Sequence, residues 1–177
     1  MNRTQLLRCL LLTLLFAGNT SCATAQQPER MHDPRLRASA PRPPDVASPV
    51  AVSLDATSRS QLPRERVRAE VHGETLQCEG VSLAALLRRT EQAMPQRLHG
   101  PHLARYVLVT ARDGGRALFS LAELDPAIGG TRAYVVDRCG GAPLDNATGP
   151  LRLLVPSDGD AARGVRQLLA IAVIVAP

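Results

Sequence analysis

Alternating apolar and polar positions from residue 64 onward predict a series of short strands. Val67, Ala69 and Val71 alternate with charged residues, which predicts a half-buried strand that ends at a turn around Gly73. An Asp-Gly pair at 113–114 stands between two apolar runs, and this pattern predicts a β-hairpin. Further strands are predicted within residues 76–83, 130–144, 149–158 and 170–177.

Helical spacing is confined to short segments. Residues 81–93 carry three leucines on one helical face, with Ser82 as the candidate N-cap. Ser120 and Glu123 have the spacing of a capping box, which predicts a short helical turn. Residues 160–169 predict a turn or a short helix. Strands outnumber helices, so we predict an α+β domain with a mixed or antiparallel sheet and a few short helices.

Residues 1–25 have the pattern of a secretory signal peptide. The segment contains two arginines and an apolar run at 6–17, and Ala23-Thr24-Ala25 fits an A-x-A cleavage site. The run is too short to span a bilayer as a stable helix, so we expect no stable membrane insertion after cleavage. Acylation of Cys22, as in a lipoprotein, is the alternative. We predict a periplasmic or secreted protein.

Residues 26–50 and 51–177 differ in composition. The first segment is rich in proline and arginine and poor in large apolar side chains, so it cannot bury enough surface to offset the entropy of ordering. We predict a flexible tether there. Residues 51–177 carry enough apolar positions for one domain with one hydrophobic core.

The charge pattern argues against a nucleic-acid-binding function. From Val50 onward the sequence has fifteen arginines and thirteen acidic residues, and the two signs are interspersed. The same region has three aromatic residues, Tyr106, Phe119 and Tyr134, which are too few for a base-stacking surface. We therefore expect no nucleic-acid partner.

Cys78 and Cys139 are the two cysteines outside the predicted signal peptide. In an oxidising compartment such a pair suggests a disulfide. The bond would close a loop of about sixty residues and stabilise the fold by about 4 kcal/mol in the chain-entropy description. Two separate buried thiols are the alternative, because free cysteine packs as a small apolar side chain.

Candidate ligand-binding chemistry is concentrated in the C-terminal part of the sequence. Arg152 lies within a predicted strand, and Arg163 and Arg166 stand on either side of Gly164 shortly after it. Arginines that converge on a glycine backbone suit a phosphate or another oxyanion, because guanidinium groups bind oxygens bidentately. Surface ion pairing with nearby acidic residues is the alternative. The acidic residues that would form those pairs are Asp158 and Asp160.

His99 and His102 are the candidate pair for a metal site. They stand three positions apart in a predicted loop. Two imidazoles alone make a weak site, because a closed zinc site needs four ligands. Cys78, Cys139 or His72 would have to complete it through the fold, so we predict no metal site.

Four segments occur in an order that resembles the molybdopterin-binding domain of sulfite-oxidase-type oxidoreductases. They are EGVSLAALL at 79–87, YVLVTARDGGRALFSLAEL at 106–124, GGAPLDNATGPLRLLVPSD at 140–158 and ARGVRQLLAIAV at 162–173. The resemblance covers roughly residues 62–175, and its most specific piece is the G-P-L-R-L-x-V-P string. It implies a short, secreted, single-domain form of that fold.

The resemblance also implies a cofactor site. In that family the arginine of the G-P-x-R-L strand binds the pterin cofactor, and Arg152 matches it. A later Gly-hydrophobic-basic triplet also contacts the cofactor, and Gly164, Val165 and Arg166 match it. The phosphate of the pterin would explain a charged side chain within a core strand.

The family's molybdenum-binding cysteine has no counterpart at the expected place, which falls near Arg68 and Ala69. Cys78 occurs in an LQCEG string at a different distance from the following helix, and it is the remaining candidate metal ligand. Catalytic residues are therefore unknown. We expect binding of molybdopterin or a similar small anion. A non-catalytic module without cofactor and a redox enzyme that uses Cys78 are the alternatives, and the sequence names no substrate or redox partner.

Overall fold

A computed structural model describes residues 47–177, apart from the side chain of Asp160. The predicted signal peptide, the alternative acylation at Cys22 and residues 26–46 of the predicted tether lie outside the described residues. The first strand begins at Val50, the last residue of the predicted tether. None of the helices within 47–177 is long and apolar enough to cross a membrane.

Short strands make up most of the regular structure. The strands are β1 (Val50–Val52), β2 (Arg64–Val71), β3 (Glu74–Ser82), β4 (Arg105–Ala111), β5 (Arg116–Ser120), β6 (Tyr134–Cys139), β7 (Ala142–Pro143), β8 (Arg152–Leu154) and β9 (Leu168–Val175). The helices are α1 (Ala56–Ser60), α2 (Leu83–Leu87) and α3 (Leu121–Leu124), and 3₁₀ turns are formed by Gly100–Ala104 and Gly159–Ala161.

The strands form two antiparallel sheets. The four-stranded sheet has the order β1-β9-β4-β5. The five-stranded sheet has the order β2-β3-β6, and β7 and β8 pair with different parts of β6. Every pairing between strands of the described part is antiparallel. The domain is therefore α+β with antiparallel sheets, and its likeness to the sulfite-oxidase fold stays a prediction.

The main core combines inward-facing residues of both sheets. Val107 and Val109 of β4 are fully buried, and they meet Val135 of β6 and Leu153 of β8 in the same cluster. Buried leucines of α2 and α3 complete it. The one-sided burial of β4 follows from the alternation of side chains along a strand.

A second core covers the opposite face of the five-stranded sheet. Its buried residues are Val67, Ala69, Val71, Cys78, Tyr134, Val136 and Leu154. Adjacent residues of a strand point to opposite faces, so Leu153 enters the main core and Leu154 enters the second core. β8 therefore contributes to both cores.

Several predicted local features are confirmed. A turn at Gly73, with φ of 80°, joins β2 to β3, and Gly114 with φ of 88° lies in the β4–β5 hairpin turn. The Ser120 hydroxyl accepts a hydrogen bond from the Glu123 N–H at 3.0 Å, and the Glu123 carboxylate accepts one from the Ser120 N–H at 3.0 Å. These two bonds form the predicted capping box.

The helix predicted over 81–93 is wrong in length, because α2 ends at Leu87. The N–H groups of Arg89 and Thr90 instead donate to carbonyls three positions back, those of Leu86 and Leu87. The carbonyl of Thr90 then accepts bonds from both Ala93 and Met94. This turn directs Ala93 and Met94 into the main core, so tertiary packing overrides the helical spacing.

Candidate anion-binding site

Arg152 begins β8 at the border of the second core. The register pairs Arg152 with Val136, which is buried in the second core. Cross-strand partners share one face of a sheet, so the Arg152 side chain lies on the second-core side of β8. Arg152 is 8% exposed. A permanently charged side chain is thus buried beside apolar neighbours.

The Arg152 guanidinium has neither a hydrogen-bond acceptor nor an ion-pair partner among residues 47–177. Its Nε is inaccessible to solvent. Burial lowers the pKa of Arg152, and the positive charge of Arg166 lowers it further. A buried cation is unfavourable unless a negative group offsets it. The position therefore suits an anion.

An isolated β-bridge holds residues 164–166 beside β8. The Leu153 N–H donates to the Val165 carbonyl at 2.8 Å, and the Val165 N–H donates to the Leu153 carbonyl at 3.1 Å. Both side chains of this pair enter the main core. Arg152 and Arg166 flank the bridge on the two segments, so the structure brings these two sequence-predicted residues together.

The backbone N–H groups of Gly164 and Val165 are both used in hydrogen bonds within the fold. The Gly164 N–H donates to the Ala161 carbonyl at 2.7 Å, and a Cβ at position 164 would lie 3.0 Å from that oxygen. The backbone of Val165 pairs with Leu153, and its side chain is buried. Neither residue has a backbone N–H left for a ligand. Within the Gly164–Arg166 triplet, Arg166 is the exposed residue.

A cleft of about 210 Å³ lies between this segment and the β4–β5 hairpin. Its charged lining residues are Asp113, Arg116, Arg163 and Arg166. Arg152 is not among the residues that line it. Arg166 therefore lines an open cleft and is also close enough to Arg152 to lower its pKa.

Arg163 forms the surface ion pairs that were the alternative to oxyanion binding. Its guanidinium holds Asp158 at 2.7 and 2.8 Å and Glu123 at 2.5 Å, and it lies 4.5 Å from the centre of the Phe119 ring. The hydrogen bonds that Arg163 donates, first to Asp158 and then to Glu123, raise its pKa. These bonds occupy Arg163 within the fold. The other predicted partner is Asp160, whose side chain is not among those that the structure describes.

A disulfide joins Cys78 and Cys139, which are directly opposed on β3 and β6 with Cα atoms 3.9 Å apart. Cys78 is buried in the second core, and Cys139 packs against it. A disulfide sulfur is not a thiolate, and a thiolate is the form of cysteine that binds metal. In this oxidised form Cys78 does not provide the metal ligand that the sequence left open.

The rings of His99 and His102 lie 6.2 Å apart in an edge-to-face arrangement. Within residues 47–177, no group of three or more histidine, cysteine or acidic side chains is placed to hold a metal ion. The two histidines therefore have no third ligand of these types among the described residues.

One buried cation, Arg105, is not predicted from the sequence. It is 1% exposed at the start of β4. The signal was available in the alternation of that strand, because Val107, Val109 and Ala111 all point inward. Extending the pattern back by two residues places Arg105 on the buried face.

Comparisons with known proteins leave the family open. The chain matches no protein-family model and none of the curated proteins. Membership of the molybdopterin-binding family therefore stays a prediction from the quoted segments.

Proposed function

We propose that this domain binds a small anionic ligand through Arg152 and Arg166. The observation that carries the proposal is the buried Arg152 guanidinium, which has no partner among residues 47–177. Arg166 adds a second positive charge close to it. An oxyanion would offset both charges and accept the N–H groups that the fold leaves without acceptors.

A phosphorylated pterin is the ligand suggested by the resemblance to molybdopterin-binding domains. Its phosphate suits the two guanidinium groups, because arginine binds phosphate oxygens bidentately. Its ring would need an apolar surface, and the apolar residues on the same side of the five-stranded sheet as Arg152, Val136 and Leu154, are completely buried and present none to a ligand. The residues present therefore fit the phosphate end of such a ligand.

The molybdenum of that cofactor does not fit the described residues. Soft thiolate ligands are what would fix such a metal, and Cys78 is bonded to Cys139. No alternative cluster of three ligands occurs within residues 47–177. We therefore propose ligand binding and assign no redox step to this domain.

A non-catalytic module for a different small anion is the second candidate. The backbone N–H groups of Gly164 and Val165 favour it, because both are bonded within the fold. Of the three residues that the resemblance assigns to pterin contact, only Arg166 is then available to a ligand. The two candidates share Arg152 and differ in whether the ligand carries a pterin ring.

We also propose a periplasmic or secreted location. The proposal rests on the signal-peptide pattern of residues 1–25. The disulfide between Cys78 and Cys139 supports it, because such bonds persist in oxidising compartments and are rare in the cytosol.

Calorimetric titration of the oxidised protein tests the ligand class. The probes are 6-hydroxymethylpterin monophosphate, the same pterin without phosphate, and inorganic phosphate. If the ligand is a phosphorylated pterin, the first probe binds more tightly than the other two. If it is another small anion, inorganic phosphate binds as well as the phosphorylated pterin.

Arg152→Met is the diagnostic variant, and Arg66→Met is its control because Arg66 is 93% exposed on β2. Loss of a charge-assisted pair should weaken phosphate-probe binding about 10- to 100-fold in Arg152→Met and leave it unchanged in Arg66→Met. Equal affinities in all three proteins would overturn the assignment of Arg152, and so would failure of both phosphate probes to bind the unaltered protein.

Measurement of bound molybdenum tests the proposal that this domain has no metal site and therefore no redox step. The protein would be purified from a host that makes molybdopterin, and molybdenum and released pterin would be measured. Pterin without molybdenum is the expected result for the first candidate. Stoichiometric molybdenum would contradict the proposal that this domain lacks a metal site.

A further inference from the structure

The four-stranded sheet has a second face, on the side away from the main core. Val107 and Val109 of β4 point into that core. Side chains alternate along a strand, so Tyr106 and Leu108 point the other way. Both are half-buried, and neither belongs to either core of the described domain. Residues 47–177 therefore leave this side of the sheet uncovered.

Apolar side chains line this second face across all four strands. The strand register places one row of cross-strand partners on it, namely Ala51, Ala172, Leu108 and Leu118. Tyr106 and Ile174 form the next pair along the same face. We call these six residues the outer face. Leu118, on the edge strand β5, is 54% exposed.

Charge is nearly absent from this side of the sheet. Arg116, at the end of β5, is the one charged residue on this side of the four strands, and it lies at a corner. The exposed side of β2 is different, because its residues at 64, 66, 68 and 70 are all charged. An antiparallel sheet with one solvated face normally carries polar side chains on it. The outer face therefore has the composition of an interface.

We propose that the outer face is the contact surface between two copies of this domain, which pack their four-stranded sheets face to face. A surface without charge meets its own copy without like-charge repulsion. A two-fold axis parallel to the strands would place Leu118 of one copy over Ala51 of the other, so that large side chains meet small ones. Arg116 would lie at the rim of the contact, where water solvates it. The proposal does not depend on the ligand proposed for Arg152.

The size of the outer face fits a weak dimer. Four strands spaced about 4.8 Å apart, with about 20 Å of paired length, present about 400 Å² in plane. Projecting side chains increase this area, so two copies would bury about 1,000 Å² in total, which is close to the minimum for a specific interface. We therefore expect monomers and dimers to interconvert with concentration.

The chain's own segment before β1 fits the outer face less well. Residues 26–46 include four arginines and three acidic residues. Covering the outer face with this segment would bring charges onto a surface that offers them no partner, which is unfavourable. The outer face of a second copy brings no such charges.

Sedimentation equilibrium of the oxidised protein between about 1 μM and about 1 mM tests the proposal. The unaltered protein should convert from monomer to dimer within this range. Leu118→Glu and Ala172→Glu should each weaken the association at least about tenfold, because each buries a carboxylate without a partner. Ile128→Glu is the matched control, since Ile128 is also 54% exposed but lies outside the strands. It should associate as the unaltered protein does.

Three results would overturn the proposal. An unaltered protein that stays monomeric at every concentration would leave the segment before β1 or a different protein as the occupant of the outer face. Association that persists in both outer-face variants would place the contact on another surface. Equal weakening in Ile128→Glu would show an effect of added charge alone. The two outer-face variants lie on different strands, so the test stays decisive if the urea midpoint shows that one of them fails to fold.

Discussion

Arginine side chains occupy contrasting environments in this domain, and the contrast separates structural roles from binding roles. Arg163 is partly exposed and holds two carboxylates, Asp158 and Glu123. Arg152 is buried and has no partner within residues 47–177. Partly exposed ion pairs contribute modestly to stability, whereas a buried unpaired charge reduces it. The second environment is the one that favours binding of an anion.

Replacement of Arg152 by methionine should stabilise the ligand-free domain. Methionine keeps the unbranched stem and removes the charge, so the free energy of unfolding should rise by about 1–3 kcal/mol. Urea unfolding in a phosphate-free buffer measures it. The exposed Arg66→Met variant should differ from the unaltered protein by less than about 0.5 kcal/mol. Destabilisation by Arg152→Met would show that the guanidinium has a structural partner.

Asp137 makes the stability of the domain sensitive to acid. Arg59 and Arg64 each bring a guanidinium nitrogen to 2.6 Å from its carboxylate. Burial alone would raise the pKa of Asp137, but the hydrogen bonds and charges of Arg64 and Arg59 outweigh it, so the pKa is lowered. The resulting stabilisation is complete above the ordinary carboxyl pKa of about 3.9 and is lost as pH falls through the lower folded value.

Urea unfolding between about pH 6 and pH 2 should therefore show a smaller acid-dependent loss of stability in Asp137→Asn than in the unaltered protein. Asp113→Asn is the control, because Asp113 lies in an exposed turn and forms no ion pair among the described residues. Equal acid slopes in Asp137→Asn and the unaltered protein would contradict the assignment.

At the level of secondary structure, local sequence patterns predicted the elements that do not depend on contacts distant in sequence. The alternation at Val67, Ala69 and Val71 became β2, and the Ser120–Glu123 spacing became a capping box. The sequence predicts no strand at β1 and places Val50 in the tether, because a three-residue strand is too short for an alternation signal and forms by pairing with β9. The early end of α2 at Leu87 likewise depends on contacts distant in sequence.

The candidate site was predicted only in part for the same reason. The charge of Arg152 within an apolar segment is visible in the sequence, and so is its proximity to Arg166 in the chain. The backbone hydrogen bonds between Val165 and Leu153 belong to a bridge between segments that are not adjacent in sequence. The partners of Arg163 include Glu123, which is forty residues away in the sequence. Local patterns carry no information about such contacts.

Gly80 allows the close approach of β3 to β6. The register between these strands shifts at Glu79–Gly80, and a Cβ at position 80 would lie 2.1 Å from the Val135 carbonyl oxygen. Gly80→Ala should therefore lower the free energy of unfolding by about 3 kcal/mol or more, because backbone atoms must move. Chemical denaturation measures the loss.

Gly159→Ala is the matched control for this substitution, since nothing lies within 4 Å of an added Cβ there. Its effect should stay within about 0.5 kcal/mol. If Gly80→Ala and Gly159→Ala were equally stable, β3 and β6 would not pack as closely as the structure has them.

For the molecule as a whole, the five-stranded sheet carries a core on each face, and β8 contributes to both. Leu153 packs into the main core and Leu154 into the second core. The second core is small, and the disulfide lies within it. A small apolar cluster alone gives limited stabilisation, so the covalent link should matter for this side of the domain.

The Cys78→Ala/Cys139→Ala double variant should be less stable by about 2–5 kcal/mol, mainly because the unfolded chain regains the conformational entropy that the disulfide removes from it. Urea midpoints of oxidised and reduced unaltered protein provide the control, because reduction should produce a loss of similar size without substitutions. Unchanged midpoints in both comparisons would contradict a stabilising role for the bond.

The position of the disulfide also divides the chain topologically. Residues 78–139 form a closed covalent ring that contains the β4–β5 hairpin, whereas β9 lies outside it. A protease cut after Arg112 in the exposed hairpin turn would leave two fragments that separate on electrophoresis only after reduction. A cut between β8 and β9 would instead leave β9 attached through its pairing with β1 and β4 and its packing. The oxidised domain therefore combines a covalent ring with segments outside it, and one of these, β9, is an inner strand of the four-stranded sheet whose place a separate peptide of the same sequence should take.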